Sequence, residues 1–96
     1  MRRAARIDVN QPGIVKALRA IGASVQPLHM VGRGCADLLA GFRGDNFLLE
    51  IKNPDAPISD RELTPAQVEF HNAWRGTIHV IETAEQAIQV VTRRTI

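Results

Sequence analysis

Two short apolar segments constrain the fold of this chain more than any other feature. Residues 36–42 (ADLLAGF) and 47–52 (FLLEIK) are separated only by Arg-Gly-Asp-Asn, a sequence typical of a turn. The pattern predicts a β-hairpin. Because side chains in a strand alternate between its two faces, one face of the second strand is apolar and the other carries Glu50 and Lys52. Two opposite charges inside an apolar strand require an explanation.

Helical or strand-like patterns account for the rest of the 96 residues. They predict the order α-β-β-β-α-β-α in one domain covering residues 1–96, an α/β fold with a mixed four-stranded sheet flanked by helices. The connection between the last two strands is a helical crossover, so those strands are expected to be parallel. The remaining elements are a helix from Asn10 to Gly22, a strand over 23–31, a loop over 53–61, a helix over 64–74, a strand over 77–82 and a helix starting at Thr83.

Composition indicates a cytoplasmic protein. No apolar run approaches the roughly 18 residues of a membrane span, so we expect no membrane partner. The charged N-terminus has no apolar segment behind it, which argues against a signal peptide. The single cysteine, Cys35, excludes an internal disulfide.

The basic residues favour an anionic partner. The sequence pI is about 9.3 with a formal charge of +2. All basic residues except Lys16 and Lys52 are arginines, which bind phosphate in a bidentate manner. Nucleic acid is therefore a candidate partner, although arginines near the two ends of the chain also fit solubilising tails.

The hairpin brings three charged side chains together. If its turn leaves two loop residues, Asp37 lies opposite Glu50 or Lys52, depending on which two residues form the loop. In either register all three side chains lie on the same face of the sheet. A three-residue loop would break this parity unless a bulge restored it.

Two carboxylates and one amine in one place suit phosphodiester hydrolysis. Neighbouring carboxylates repel each other unless a cation lies between them, and Mg²⁺ takes oxygen ligands. A metal ion activates water for attack, and a lysine stabilises the charge that develops on a phosphate. The alternative is that Glu50 and Lys52 are solvated residues on the exposed face of an edge strand, and spacing alone does not decide between these interpretations.

The arrangement of Asp37 followed by Glu50, Ile51 and Lys52 resembles the PD-(D/E)XK nuclease superfamily. The segment GRGCADLLAGFRGDNFLLEIK is similar to the core signature of its small VRR-NUC and Holliday-junction-resolvase-like members, and LTPAQVEFHNAWRG is similar to the helix that follows. Ala36 stands where the signature has proline, a position that shapes the strand and ligates nothing. The resemblance implies a restriction-endonuclease-like core.

This resemblance also implies roles for individual residues. Asp37, Glu50 and the backbone carbonyl of Ile51 would bind Mg²⁺ or Mn²⁺. Lys52 would be the catalytic lysine, and Gln67 would support the site near the phosphate or the lysine. The sequence gives Gln67 a second interpretation, because Thr-x-x-Gln is a capping box in which the glutamine returns to the helix start.

Several further residues are candidates for the site. Asp8 lies where related folds place an acidic residue, and Asn10 is expected to act as an N-cap. The three histidines lack metal-ligand spacing, although His71 lies on the same helix as Gln67. Three arginines are candidates for phosphate contacts: Arg33 in the Gly-Arg-Gly turn, Arg43 and Arg61. The chain has no tyrosine, so contacts mainly to the nucleic-acid backbone are expected.

Three functions follow from the sequence. The first is a Mg²⁺- or Mn²⁺-dependent endonuclease that hydrolyses DNA, with RNA as the other substrate option and selectivity for branched structures as a further possibility. The second is a binding module on the same fold that does not cut. The third is an assembly protein with an incidental charged hairpin. A single chain offers one active site, so cutting two strands predicts a homodimer.

Overall fold

A computed structural model describes residues 7–93 of the protein. It contains four strands and four helices in the order α-β-β-β-α-α-β-α, which confirms the predicted mixed α/β fold and adds one short helix within the predicted loop 53–61. The elements are α1 Gln11–Ala20, β1 Ser24–Pro27, β2 Leu38–Phe42, β3 Asp45–Ile51, α2 Ile58–Arg61, α3 Pro65–Ala73, β4 Ile78–Ile81 and α4 Ala84–Thr92.

The four strands form one sheet in the order β1-β2-β3-β4. The first two pairings are antiparallel, and β4 pairs with β3 in parallel, as the helical crossover predicts. The strand β3 therefore lies inside the sheet with a partner on each side. The first strand is shorter than predicted, because pairing with β2 as a regular strand ends at Pro27.

The hairpin turn is shorter than the four residues predicted. Phe42 pairs with Asp45, so the loop consists of Arg43 and Gly44 alone. Both loop residues have positive φ, 52° and 86°, as a type I′ turn requires. A two-residue loop keeps Asp37 on the same face of the sheet as Glu50 and Lys52, as predicted.

The hydrophobic core lies between one face of the sheet and the helices α1 and α4. Its centre is built from fully buried side chains on the two hairpin strands, among them Leu38, Leu49 and Ile51. The helices contribute Leu18 from α1 and Val91 from α4. Burying this apolar face leaves the opposite face of the hairpin, with its charges, for the site.

No helix within residues 7–93 combines the length and the apolar character needed to cross a membrane.

Candidate active site

The candidate site lies where β2 begins and β3 ends. The observed register, extended by one residue, places Asp37 opposite Glu50, the first of the two predicted alternatives. The Asp37 N–H donates to the carbonyl of Leu49 at 3.0 Å. The Ile51 N–H donates to Asp37 Oδ2 at 2.6 Å, so the carboxylate is fixed by the backbone of the neighbouring strand.

Burial separates the two interpretations of the hairpin charges. The side chain of Glu50 is 1% exposed and that of Lys52 is 8% exposed. Because β3 is an internal strand and both residues are buried, they are not solvated residues on an edge strand. Burying charged groups is costly unless they are paired, so their partners define the site.

Gln67 on α3 joins the two buried charges. Its Oε1 accepts a hydrogen bond from Lys52 Nζ at 2.9 Å, and its Nε2 donates to Glu50 Oε2 at 2.9 Å. The same Oε1 accepts from the Thr64 N–H at 2.9 Å, and Thr64 Oγ1 accepts from the Gln67 N–H, which completes the capping box. Gln67 therefore caps its helix and contacts Lys52 at the same time, while its role in catalysis stays a prediction.

The ammonium group of Lys52 has a second anchor. Its Nζ donates to the backbone carbonyl of Glu62 at 3.2 Å, in addition to the bond with Gln67. An ammonium group has three donors, so one remains for a further acceptor in the cleft.

His71 completes the environment of the Glu50 carboxylate. Its Nε2 lies 3.6 Å from Glu50 Oε1, and both atoms are buried without a hydrogen-bond partner within residues 7–93. The sequence did not assign His71 to the site. The available signal was its position four residues after Gln67, which places both side chains on the same helix face.

Burial and the neighbouring carboxylate raise the pKa of Glu50. Loss of hydration is the largest cause, followed by the charge of Asp37 and a hydrogen bond with its side chain. Asp8 adds to the effect and Lys52 opposes it, and together they raise the pKa of Glu50 to about 9. A divalent cation between the two carboxyl groups would relieve the repulsion that raises this pKa.

The donor set fits a divalent ion that binds oxygen. Within the described part of the chain, no three His, Cys, Asp or Glu side chains converge into a metal cluster. An ion held by Asp37 and Glu50 would therefore take its other ligands from backbone oxygen and water, as Mg²⁺ commonly does. Glu50 Oε1 has no hydrogen-bond partner among residues 7–93 and is available to such an ion. The role of the Ile51 carbonyl as a ligand stays a prediction.

These groups open into a cleft of about 390 Å³. Asp8 and Arg33 line it together with Asp37, Glu50 and Lys52, so the structure brings these predicted residues together. Its walls come from residues 7–9, from His29 and residues 32–35, and from the segment around α2.

The structure separates two of the predicted arginines from this cleft. Arg43 lies in the hairpin turn, six residues from Asp37 along β2 and therefore about 20 Å away. Its guanidinium group lies 4.9 Å from the ring centre of Phe42. Arg61, on α2, is half-buried and does not line the cleft, so of the three predicted phosphate contacts Arg33 alone is placed there.

The Gly-Arg-Gly turn is built into the site. Its three residues all have positive φ, and the Cys35 N–H donates to the Gly32 carbonyl at 3.1 Å. A Cβ atom on Gly34 would overlap the backbone of Ala66 in the first turn of α3, so the position requires glycine. Burial is the main cause that raises the pKa of the Cys35 thiol, which fits a packing residue better than a nucleophile.

Asn10 differs from its prediction. Its side chain makes no capping bond with α1. Instead, Nδ2 donates to the carbonyls of Lys52 at 3.2 Å and Glu82 at 2.8 Å. Asn10 therefore occupies the N-cap position of α1 but ties it to the ends of β3 and β4, next to the catalytic candidates.

The sheet and its flanking helices have a restriction-endonuclease-like fold of the kind found in a VRR_NUC domain. Among solved structures, the chain is similar to a VRR_NUC domain with a TM-score of 0.64 and 23% sequence identity, over 88% of this chain and 92% of that one. The predicted resemblance is thus confirmed at the level of the fold. No protein-family model and no curated protein sequence matches the chain.

Proposed function

We propose that this protein is a Mg²⁺- or Mn²⁺-dependent endonuclease that hydrolyses phosphodiester bonds in DNA. The observation that carries the proposal is the pair of buried charged residues Glu50 and Lys52, joined by Gln67, beside the half-buried Asp37 at an open cleft. The similarity to a VRR_NUC domain supports the same class of activity.

Each residue has a defined task in this proposal. Asp37 and Glu50 would hold the ion, which when bound would activate water and neutralise charge on the phosphate. Gln67 and the Glu62 carbonyl hold the Lys52 ammonium group, whose remaining donor stabilises the negative charge that develops on the phosphate. Arg33, at the rim of the cleft, binds a phosphate of the substrate.

The proposal includes a homodimer. One chain provides one such site, and cutting both strands of a duplex or a junction requires two. Light scattering of the purified protein at micromolar concentration measures the mass directly, and a monomer would limit the activity to one strand at a time.

The test is cleavage of labelled single-stranded, duplex, flapped and four-way-junction DNA with Mg²⁺ or Mn²⁺, and of an RNA strand. We expect Asp37→Asn and Lys52→Met to reduce cleavage by more than about 100-fold. The matched control is Asp45→Asn, which changes the same residue type at the exposed end of the same hairpin and should cut like wild type.

Each outcome decides between the functions. Cleavage that needs the ion and is lost only in the two site variants supports the nuclease. DNA binding without cleavage would favour the non-cutting module. Equal activity in wild type and both site variants would place the cleavage elsewhere and overturn the proposal.

A further inference from the structure

A second cavity continues from the cleft along α1 and β1. This α1–β1 groove has a volume of about 460 Å³ and meets the cleft at Ile7 and His29, which line both. Its surface is mainly apolar, with walls formed by Ile7, Pro12, Val15 and Pro27. The groove and the cleft are therefore adjacent, so a chain-like ligand that lies in the cleft is close to the groove.

Charge distinguishes the groove from the cleft wall that residues 53–63 form. The segment over residues 53–63 carries Asp55, Asp60 and Glu62 against the single cation Arg61. The helix α1 carries Lys16 and Arg19 and no acidic residue, and both line the groove. A polyanion leaving the cleft is repelled by the first segment and attracted by α1.

The groove also contains groups prepared for a polar ligand. Gln11 is only 4% exposed and lines the groove, and its Oε1 has no hydrogen-bond partner within residues 7–93. Such a buried acceptor is costly and is satisfied by a ligand that donates a hydrogen bond. The Arg19 Nη2 donates to the carbonyl of Val25 at 3.1 Å, which fixes the guanidinium group beside the groove.

We propose that the α1–β1 groove binds an unpaired strand of the nucleic-acid substrate as it leaves the cleft. The proposal rests on the proposed nuclease function and adds where the substrate lies. Lys16 and Arg19 bind phosphates, the apolar walls contact the faces of the bases, and Gln11 accepts from a base N–H. A duplex presents mainly phosphates at its surface and would leave the apolar walls unused, so the groove fits a single strand.

The test compares two double variants with the same change in charge. Lys16→Ala with Arg19→Ala alters the groove. Arg75→Ala with Arg93→Ala is the control, because both arginines are exposed near β4, at the opposite edge of the sheet and about 14 Å from β1. Binding of fluorescein-labelled oligothymidines of 4 and 12 nucleotides is measured by fluorescence anisotropy in EDTA, which prevents cleavage.

We expect wild type and control to bind the 12-mer at least tenfold more tightly than the 4-mer. The groove variant should bind both lengths within about threefold of each other. Its slope of log affinity against log salt should be smaller by about 1.4, since each phosphate contact to a single strand contributes about 0.7.

Three results would overturn the proposal that the groove binds a single strand. They are an equal dependence of affinity on oligonucleotide length in both double variants, the same dependence for a blunt 12-base-pair duplex, or no binding of any oligonucleotide. Cleavage of the 12-mer with Mg²⁺ is scored separately. The wild-type protein could bind the 12-mer more tightly than the 4-mer, lose this difference in the groove variant, and yet cleave no DNA. That result would support strand binding in the groove and overturn the proposed nuclease function.

Discussion

The helices α3 and α4 begin with the same capping sequence, but the glutamine side chains of the two caps make different contacts. Each starts with Thr-x-x-Gln, and each threonine hydroxyl accepts from the backbone N–H of the glutamine, at 3.2 Å in α3 and 3.1 Å in α4. In α4 the Gln86 side chain returns to the Glu82 N–H at 2.7 Å. In α3 the Gln67 side chain returns to Thr64 and also holds both buried charges of the site.

The rest of each helix explains this difference. The inner face of α4 buries Ala87 and Val91 in the core. Every residue of α3 is exposed or half-buried, and the side that faces β3 presents Gln67 and His71 to Glu50. One helix is held by apolar packing and the other by polar contacts with the site, so stability should depend on α4 and activity on α3.

The largest expected effect concerns pH. Because the pKa of Glu50 is raised from 4.5 to about 9, the folded state binds a proton that the unfolded state releases. Without a divalent ion, the contribution of this carboxyl group to stability should therefore be full below pH 4.5, and a few kcal/mol should be lost as pH rises toward 9. Thermal unfolding in EDTA measures this, and Glu50→Gln, facing α3, should flatten the dependence. Glu85→Gln, in the first turn of α4, should leave the pH dependence unchanged. A similar flattening in that variant would show that the pH dependence does not arise from the site beside α3.

The next largest effect should distinguish Gln67 in α3 from Gln86 in α4. Gln67→Ala should lower the affinity for Mn²⁺ and the cleavage rate by about 10- to 100-fold, because it releases both Lys52 and Glu50. Gln86→Ala removes a similar capping contact and should leave both quantities unchanged. Calorimetric titration of Mn²⁺ provides a measurement independent of cleavage, and equal values for the two variants would show that Gln67 only caps its helix.

A third prediction compares the stability cost of truncating one valine in each helix, where the larger effect is expected in α4. Val91→Ala in α4 creates a cavity in the core and should lower the free energy of unfolding by about 2 kcal/mol. Val68→Ala in α3 removes a side chain that is 42% exposed and should change it by less than about 0.5 kcal/mol. Urea unfolding of both variants measures this, and a large loss from Val68→Ala would mean that α3 also contributes to the core.

The smallest effect should be the same in both helices. Thr64→Ala and Thr83→Ala each remove one capping acceptor and should each cost about 1 kcal/mol. Only Thr64→Ala should also reduce cleavage, by a few-fold, because it loosens the first turn of α3. A larger stability loss in one of them, measured by urea unfolding, would show that the two caps are not equivalent.

The sequence predicted the centre of the site because strand alternation and a two-residue turn fix the parity of the hairpin. It did not decide whether Asp37 lies opposite Glu50 or Lys52, since that depends on Arg43 adopting a left-handed conformation in the loop. The same register, once known, places Arg43 at the far end of the hairpin, where it cannot contact a phosphate in the cleft.

Contacts distant in sequence were beyond prediction. The Asn10 side chain bonds with carbonyls 42 and 72 positions further along the chain, and no local pattern distinguishes this from an ordinary N-cap. The helix α2 has only four residues, with no apolar periodicity to reveal it. The dual contact of Gln67 also needed the structure, because a capping box does not indicate what else its side chain touches.

The glycine at position 34 has a consequence for how this protein can change over evolutionary time. Its backbone lies against Ala66, so any larger residue there must displace the first turn of α3. That displacement would carry Gln67 away from Glu50 and Lys52. A substitution at Gly34 therefore requires a compensating change in the first turn of α3. We expect the loop before β2 and the start of α3 to change together in evolution.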